Sequence, residues 1–232
     1  MQNRQDIPSI KSRFRSMFST RISVRRTLRF SARACSLGTS RAWRHGVAGA
    51  ALLAACAWPT WAAVDIEGEH FDAAVRLAGH ELPLNGTGLR SFFVIKGYVA
   101  GLYLPERAKN AAVILGMKGP KRLQIRPLRD VGADTFIHAL NDGIHRNQTE
   151  AQVQKLADRL AQLEDAMRRI GATRRGDTIN VDYTPQAGTV ISVNGVMRGR
   201  PIPGEDFYQA VLRIFIGDDP VDRDLKNGLL GT

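Results

Sequence analysis

The sequence predicts an α+β domain in which helices pack on an antiparallel sheet. Segments with alternating or continuous apolar residues, typical of strands, cluster at 64–104 and 178–198. Segments with an apolar residue every three or four positions, typical of helices, cluster at 133–170 and 205–229. Because the strands and helices are segregated rather than alternating, the pattern favours an antiparallel sheet over a parallel one.

The first strands are predicted from apolar alternation and from turn residues. Residues 64–71 alternate apolar and polar side chains, and the apolar segments on either side of Gly79 predict a short hairpin. Residues 85–88 are rich in glycine and predict a turn, and a long strand region with a kink at Gly97 follows at 89–104. Further strands are predicted at 122–126, 178–183, 189–193 and 196–198, with Asn194-Gly195 as the hairpin turn between the last two.

The helices are predicted from apolar stripes and capping residues. The longest begins after Thr149, where Gln152 completes a capping box, and ends before Gly171. Its apolar stripe is narrow, so we expect one buried face and one hydrated face. The other predicted helices span 108–117, 133–146, 205–216 and roughly 222–229.

The positive charge of the chain is concentrated in its first residues. Residues 1–46 hold 11 of the 33 basic residues and one of the 22 acidic residues, so they carry +10 of the net +11. The remainder is close to neutral, which argues against a nucleic-acid-binding surface on the domain.

An export segment is predicted next. The basic leader, 1–46, is followed by an apolar core and a small-residue exit at 47–63, which is the pattern of a secretory signal peptide. The apolar run is shorter than the roughly 20 residues that span a bilayer, so no membrane span is expected. The sequence therefore predicts a periplasmic or secreted domain at 64–232, cleaved after Ala62 or Ala63.

The two cysteines give an alternative for this segment. Leu53-Ala-Ala-Cys56 fits a bacterial lipoprotein cleavage site, in which Cys56 would carry a lipid anchor. Cys35 and Cys56 are the only cysteines, and both precede the domain. The domain is therefore expected to have no disulfide and to depend on its core for stability.

Arg90 is the leading candidate for a functional residue. It stands at the start of the apolar region 89–104, where burial of an unpaired charge would cost several kcal/mol. It must therefore lie at a hydrated edge, pair with an acid such as Glu81 or Asp130, or contact a ligand. The residues alone leave these alternatives open.

Two segments resemble the chalcone isomerase superfamily, in particular its bacterial secreted chalcone isomerase-like branch. They are Leu84–Leu104 and Ile216–Lys226, which lie far apart and in the family's order. The order of elements also fits over residues 64–230. The resemblance implies an open-faced β-sandwich: a large antiparallel sheet, a layer of helices, and a ligand cleft between them.

The superfamily contains both enzymes and binding proteins. Its plant enzymes close a chalcone into a flavanone and use an arginine to stabilise the phenolate and the developing enolate. Non-catalytic relatives hold the carboxylate of a fatty acid with an arginine and a tyrosine. Arg90, in Gly88-Leu-Arg90, matches the family arginine, so the resemblance implies that it contacts the ligand.

At other positions this chain departs from the enzymes. Their catalytic threonine falls at Tyr98, and their late threonine or serine falls at Ile214. Their helix tyrosine and asparagine fall near Asp134 and Asn141, where only the asparagine is retained. The resemblance therefore implies Arg90, Tyr98 and Asn141 as ligand-binding residues.

These departures favour binding over catalysis. An isoleucine has no hydrogen-bond donor or acceptor with which to orient a substrate or water. A cation, a phenol and an apolar cleft suit a small amphipathic anion such as a fatty acid. The alternatives are an isomerase of the intramolecular lyase type, acting on an aromatic enone with Arg90 as electrostatic catalyst, and a structural or partner-binding domain with a vestigial cleft.

The sequence predicts neither a cofactor nor a metal. We find no nucleophile–base pair, and the glycine-rich segment 85–88 is not followed by a helix that would complete a nucleotide site. The aspartates around 218–224 lack the central glycine and terminal glutamate of a calcium loop. They predict a capped loop before the last helix.

Overall fold

The structure, a computed structural model, describes residues 63–92 and 95–232. The predicted leader, Cys56 and all but the last residue of the predicted export segment lie outside these residues. The helices are α1 (Ala111–Gly116), α2 (Ala133–Asn147), α3 (Glu150–Ile170), α4 (Glu205–Ile216) and α5 (Arg223–Leu230). The strands are β1 (Val64–Ile66), β2 (Glu69–Phe71), β3 (Ala74–Leu77), β4 (His80–Phe92), β5 (Ile95–Tyr103), β6 (Lys121–Pro127), β7 (Ile179–Thr184), β8 (Gly188–Val193) and β9 (Val196–Ile202).

The predicted α+β architecture is confirmed. Strands β3 to β9 form a seven-stranded sheet in which every strand pairs antiparallel with its neighbour in the chain. Helices α2 to α5 pack on one face of this sheet and bury the larger apolar core. None of the helices in the described part of the chain is long and apolar enough to span a bilayer.

Several local predictions are also confirmed. Asn194 and Gly195 have φ of 51° and 77°, the two positive values that the predicted hairpin turn requires. Thr149 and Gln152 form the predicted capping box at the start of α3. The side chain of Asp222 accepts a hydrogen bond from the backbone N–H of Leu225 at 2.9 Å, so the predicted capped loop precedes α5.

The prediction of one strand at 64–71 is wrong. The segment folds as β1 and β2, which pair antiparallel on either side of Glu67 and Gly68. These two residues have φ of 55° and 82°. The left-handed turn at this glycine outweighs the alternating pattern of its flanks.

The region 85–104 also differs from the prediction. The glycine-rich segment is not a turn, since it lies inside β4, and the expected continuous strand at 89–104 is two antiparallel strands, β4 and β5. Gly97 is the extra residue where the register shifts, because Arg90 pairs with Tyr98 whereas Ser91 pairs with Lys96. The predicted kink is therefore a β-bulge.

The glycines of β4 allow α5 to pack directly on the strand backbone. A Cβ built at Gly88 would lie 2.6 Å from the carbonyl oxygen of Leu225, and one at Gly86 would overlap the carbonyl oxygen of Gly228. Asn85 fixes the same contact: its Nδ2 donates to the carbonyl of Leu229 at 2.7 Å. This packing holds the middle of β4 against the helical layer.

The opposite face of the sheet carries a smaller apolar cluster. It lies under the β1–β2 hairpin, and Gly101 leaves room there for the ring of Phe71, which is 2.6 Å from a Cβ built at the glycine. The buried members of the cluster are Phe71, Leu82, Leu84, Val99 and Tyr103. The two faces of the sheet therefore have separate cores, and the cavity described below lies on the helical side.

Candidate functional site

An apolar cavity of about 110 Å³ lies between the sheet and the helical layer. The sheet contributes side chains of β4 to β8, and the helices contribute apolar side chains of α2, α3 and α4. The volume corresponds to about nine water-sized positions if each takes about 12 Å³, so the cavity is small. Its apolar walls include Ile125, Phe136, Leu140, Leu163, Met167, Val181, Ile191, Val211 and Phe215.

Arg90 and Tyr98 lie side by side at one end of this cavity. They are direct cross-strand partners in β4 and β5, so their side chains share the helical face of the sheet. The guanidinium carbon of Arg90 lies 5.7 Å from the centre of the Tyr98 ring. Both residues line the cavity, and their contact with a ligand stays a prediction.

Arg90 is half-buried and is not committed to an acid within the described part of the chain. Its guanidinium makes no ion pair there, neither with Glu81 nor with Asp130. The carboxylate of Asp130 instead accepts a hydrogen bond from the backbone N–H of Arg175 at 3.0 Å. It is also the one charged residue among the described residues that line the cavity. The alternative of a structural ion pair with Glu81 or Asp130 therefore finds no support.

Tyr98 is buried, with 7% of its surface exposed. Burial raises the pKa of Tyr98 to about 12, and the positive charge of Arg90 opposes part of that shift. The carboxylate of Asp222, at the start of α5, adds to the rise in the pKa of the tyrosine. The side chain is therefore a neutral phenol at physiological pH and can donate a hydrogen bond to an anion.

The structure places the third predicted residue away from this pair. Asn141 lies on α2, and its Nδ2 donates to Glu164 Oε1 on α3 at 2.8 Å. It is not among the described residues that line the cavity. The geometry thus gives Asn141 a role in joining two helices, and the predicted contact with a ligand is not supported by its position.

Ile214 is the residue that the resemblance matched to the late threonine or serine of the family's enzymes. It lies on α4, is buried, and lines the cavity, where it presents only hydrocarbon. A Cβ built at Gly143 of α2 would lie 2.6 Å from a methyl carbon of Ile214, so the two helices are closely packed here. No ordered substrate or water can be held by this side chain through a hydrogen bond.

Two threonines of the cavity wall were missed by sequence reasoning. Thr173 donates its hydroxyl to the carbonyl of Val131 at 3.3 Å, so its hydrogen-bonding capacity is used by the fold. Thr189 lies on β8 and is 1% exposed. A single threonine in an apolar strand carries no signal in the sequence that would distinguish a wall residue from an ordinary β-former.

The arrangement is suited to holding an anion. Arg90 supplies a charge and a planar set of N–H donors, and Tyr98 supplies an O–H donor. Apart from the hydroxyls of Thr173 and Thr189, the other side chains of the wall are apolar. Among the described residues no group of three or more His, Cys, Asp or Glu side chains is placed to bind a metal ion.

Comparison with known proteins gives a family and a fold. The sequence profile of the chalcone isomerase-like family matches residues 63–231. The crystal structure of the Arabidopsis thaliana fatty-acid binding protein AtFAP1 is similar, with a TM-score of 0.57 and 14% sequence identity. The match covers 73% of this chain and 96% of that protein, and at this identity it shows the fold alone. No curated protein sequence matches the chain.

Proposed function

Because the chain belongs to the chalcone isomerase-like family, we propose that it is an exported, non-catalytic binding protein for a small amphipathic anion such as a fatty acid. Arg90 and Tyr98 hold the anionic group, and the cavity between the sheet and the helices holds the hydrocarbon. The similarity to a plant protein whose name describes fatty-acid binding supports this choice of ligand class.

The observation that carries the proposal is that, among the described residues lining the apolar cavity, Arg90 alone is charged. Arg90 lies beside a buried phenol, and among the described residues it pairs with no acid. A half-buried guanidinium beside hydrocarbon loses part of its hydration, and an anion can replace what is lost. A carboxylate satisfies it in a bidentate manner, and the low local dielectric strengthens that pair.

Side chains of the wall must move to accommodate a long acyl chain, because the cavity is small. Met167 and Phe136 are wall residues that can move, since both have long or large side chains and are only partly buried. A methionine has three rotatable side-chain bonds and fills irregular space readily. We therefore expect these two side chains to move when a long acyl chain binds.

The same residues argue against the isomerase alternative. In the family's enzymes, hydroxyl groups orient the phenol and an ordered water. The resemblance matches one of these groups to Ile214, which lines the cavity and has no hydroxyl. Tyr98 keeps its proton because burial raises its pKa to about 12, so it is not a base near neutral pH.

Export is supported by the sequence of residues 1–63, with its basic leader, apolar core and small-residue exit. Sequencing the N-terminus of the mature protein, expressed from the full chain in a bacterium, tests it. A start at Val64 or Ala63 supports an ordinary signal peptide. A lipidated start at Cys56 supports the lipoprotein alternative, and an uncleaved chain in the cytoplasm contradicts export.

The ligand proposal is tested by what purifies with the protein. The wild type, Arg90→Ala and Arg126→Ala are purified in parallel, and their bound small molecules are identified by mass spectrometry. Arg126 is a matched control, because it pairs with Glu69 at 3.5 Å and does not line the cavity. We expect an acidic lipid in the wild type and in Arg126→Ala, with much less in Arg90→Ala.

Other outcomes would contradict the proposal in specific ways. Equal amounts of lipid in all three proteins would remove Arg90 from the site. Cyclisation of a chalcone by the wild type, lost in Arg90→Ala, would favour the enzyme. If no molecule purifies with the protein and no added acid binds to it, a structural domain with a vestigial cleft would be favoured.

A further inference from the structure

A hydroxyl group without a partner lies at the other end of the cavity from Arg90. Thr189 is 1% exposed and lines the cavity, and its Oγ1 has no hydrogen-bond partner within the described residues. Its direct cross-strand neighbours are Tyr183 on β7 and Ile202 on β9. The hydroxyl is therefore enclosed by side chains that leave its hydrogen-bonding capacity unused.

The register of the sheet places this hydroxyl far from the anion site. Tyr98 pairs with Pro127 on β6, and Lys121, at the other end of β6, pairs with Tyr183, the partner of Thr189. Six residues along β6 correspond to about 20 Å, and the three strand spacings from β5 to β8 correspond to about 14 Å. Curvature of the sheet shortens the direct path, so the two ends are separated by roughly the length of a long acyl chain.

A threonine here is costly unless its hydroxyl is used. Valine has the same shape and would fill the position with hydrocarbon, as the neighbouring wall residue Ile191 does. An unpaired buried hydroxyl lowers the stability of the fold, whereas a paired one does not. The hydroxyl and the γ-methyl group of Thr189 change places when the side chain rotates about χ1 from one staggered rotamer to another. The oxygen can therefore turn towards the cavity.

We infer that Thr189 is a specificity-determining residue and that the ligand is a long-chain acid with an oxygen function, such as a hydroxyl, on its tail. This inference rests on the proposed function, since Arg90 and Tyr98 hold the acid group. Thr189 then exchanges one hydrogen bond with the oxygen of the tail. A plain acyl chain leaves the threonine unpaired, so the cavity discriminates against it.

The test compares acids that differ only in the tail. Affinities of the full chain for hexadecanoate, and for hexadecanoates with a hydroxyl on a middle or the terminal carbon, are measured by calorimetry. One additional hydrogen bond predicts that at least one hydroxylated acid binds about three- to tenfold more tightly than hexadecanoate. The ratio is expected to fall to about one in Thr189→Val and to be kept in Thr189→Ser, which retains the hydroxyl.

Tyr208→Phe is the matched control. Tyr208 also has a buried hydroxyl without a partner in the described residues, and its ring stacks on Tyr183 at 5.2 Å, but it does not line the cavity. Its removal should leave the preference for the hydroxylated acid unchanged. A loss of preference in this variant equal to that in Thr189→Val would overturn the assignment to Thr189.

The outcomes separate this inference from the function on which it rests. If hexadecanoate binds in a manner that depends on Arg90, but no hydroxylated acid is preferred, only the inference about Thr189 is overturned. A preference that persists in Thr189→Val overturns it as well. If no acid binds, the proposed function fails and the inference falls with it.

Discussion

Replacement of Arg90 by alanine should weaken the binding of an acid far more than that of a neutral lipid. In the proposed complex the guanidinium pairs with a carboxylate at the end of an apolar cavity. Loss of one partner of a buried charged pair costs about 2–5 kcal/mol, and because Arg90 is only half-buried we expect the lower part of this range, about 2–3 kcal/mol. That corresponds to roughly a 30- to 140-fold loss of affinity.

Calorimetry with hexadecanoate and hexadecanol measures this difference. The alcohol fills the same hydrocarbon space but carries no charge, so its affinity should change by less than about threefold in Arg90→Ala. Arg90→Lys should lie between the wild type and the alanine variant, since lysine keeps the charge but lacks the planar donor fork. Arg126→Ala, on the opposite face of the sheet beside Phe71, should bind both ligands as the wild type does.

Two results would refute this reasoning. If Arg90→Ala loses the same affinity for the acid and the alcohol, Arg90 shapes the cavity and does not pair with the charge. If Arg126→Ala loses as much affinity for the acid as Arg90→Ala does, a general loss of positive charge explains the effect. Melting temperatures of the variants show whether each is folded under the conditions of the assay.

Three further predictions concern stability. Gly88→Ala should destabilise the fold by about 1–3 kcal/mol, because the new Cβ would overlap the backbone of α5. Gly116→Ala is the control, since no atom lies within 4 Å of its Cβ, and it should be neutral or stabilise by up to about 1 kcal/mol. Equal melting temperatures for the two variants would contradict this. Asn85→Ala removes bonds to the Leu229 carbonyl and the Ala108 N–H, and should cost about 1–3 kcal/mol in urea unfolding. Burial raises the pKa of Tyr98 and of Tyr103 to about 12, so the folded chain keeps protons that the unfolded chain loses above about pH 10. Their contribution to stability is complete below pH 10 and falls towards pH 12 by at most about 1.4 kcal/mol per pH unit for each tyrosine. Free energies of unfolding from urea titrations that are equal below and above pH 10 would contradict this.

The sequence predicted those parts of the fold that local chemistry determines. The hairpin turn at Asn194-Gly195 and the capping box at Thr149 each depend on residues adjacent in the chain, and both are confirmed. The reversal between β4 and β5 was missed, because Phe92 and Ile95 at the strand ends belong to one β-forming apolar run without turn residues. Nothing local marks a turn there, and only the antiparallel pairing reveals it.

Two residues of the candidate site could be proposed from the sequence, whereas the surroundings of the others depend on contacts between distant parts of the chain. Arg90 and Tyr98 could be related to each other through a family pattern, and the structure places both at the cavity. Asn141 matched the same pattern, but its amide is held by Glu164, a residue 23 positions away on another helix. Thr189 could not be identified from the sequence, because the burial of its hydroxyl depends on neighbours from two other strands.

The glycines before Arg90 are explained by the helix that packs on them, α5. Gly86, Gly88 and Arg90 pair with Leu102, Ala100 and Tyr98 in turn, so all three point to the helical face of the sheet. The first two positions have no side chain, and α5 lies against their backbone. Arg90 is therefore the first side chain of β4 beyond the region covered by α5, which is where the cavity begins. The spacing Gly-x-Gly-x-Arg thus couples the docking of a helix to the placement of a charge, and a variant such as Gly88→Ala that displaces α5 should weaken acid binding as well as the fold.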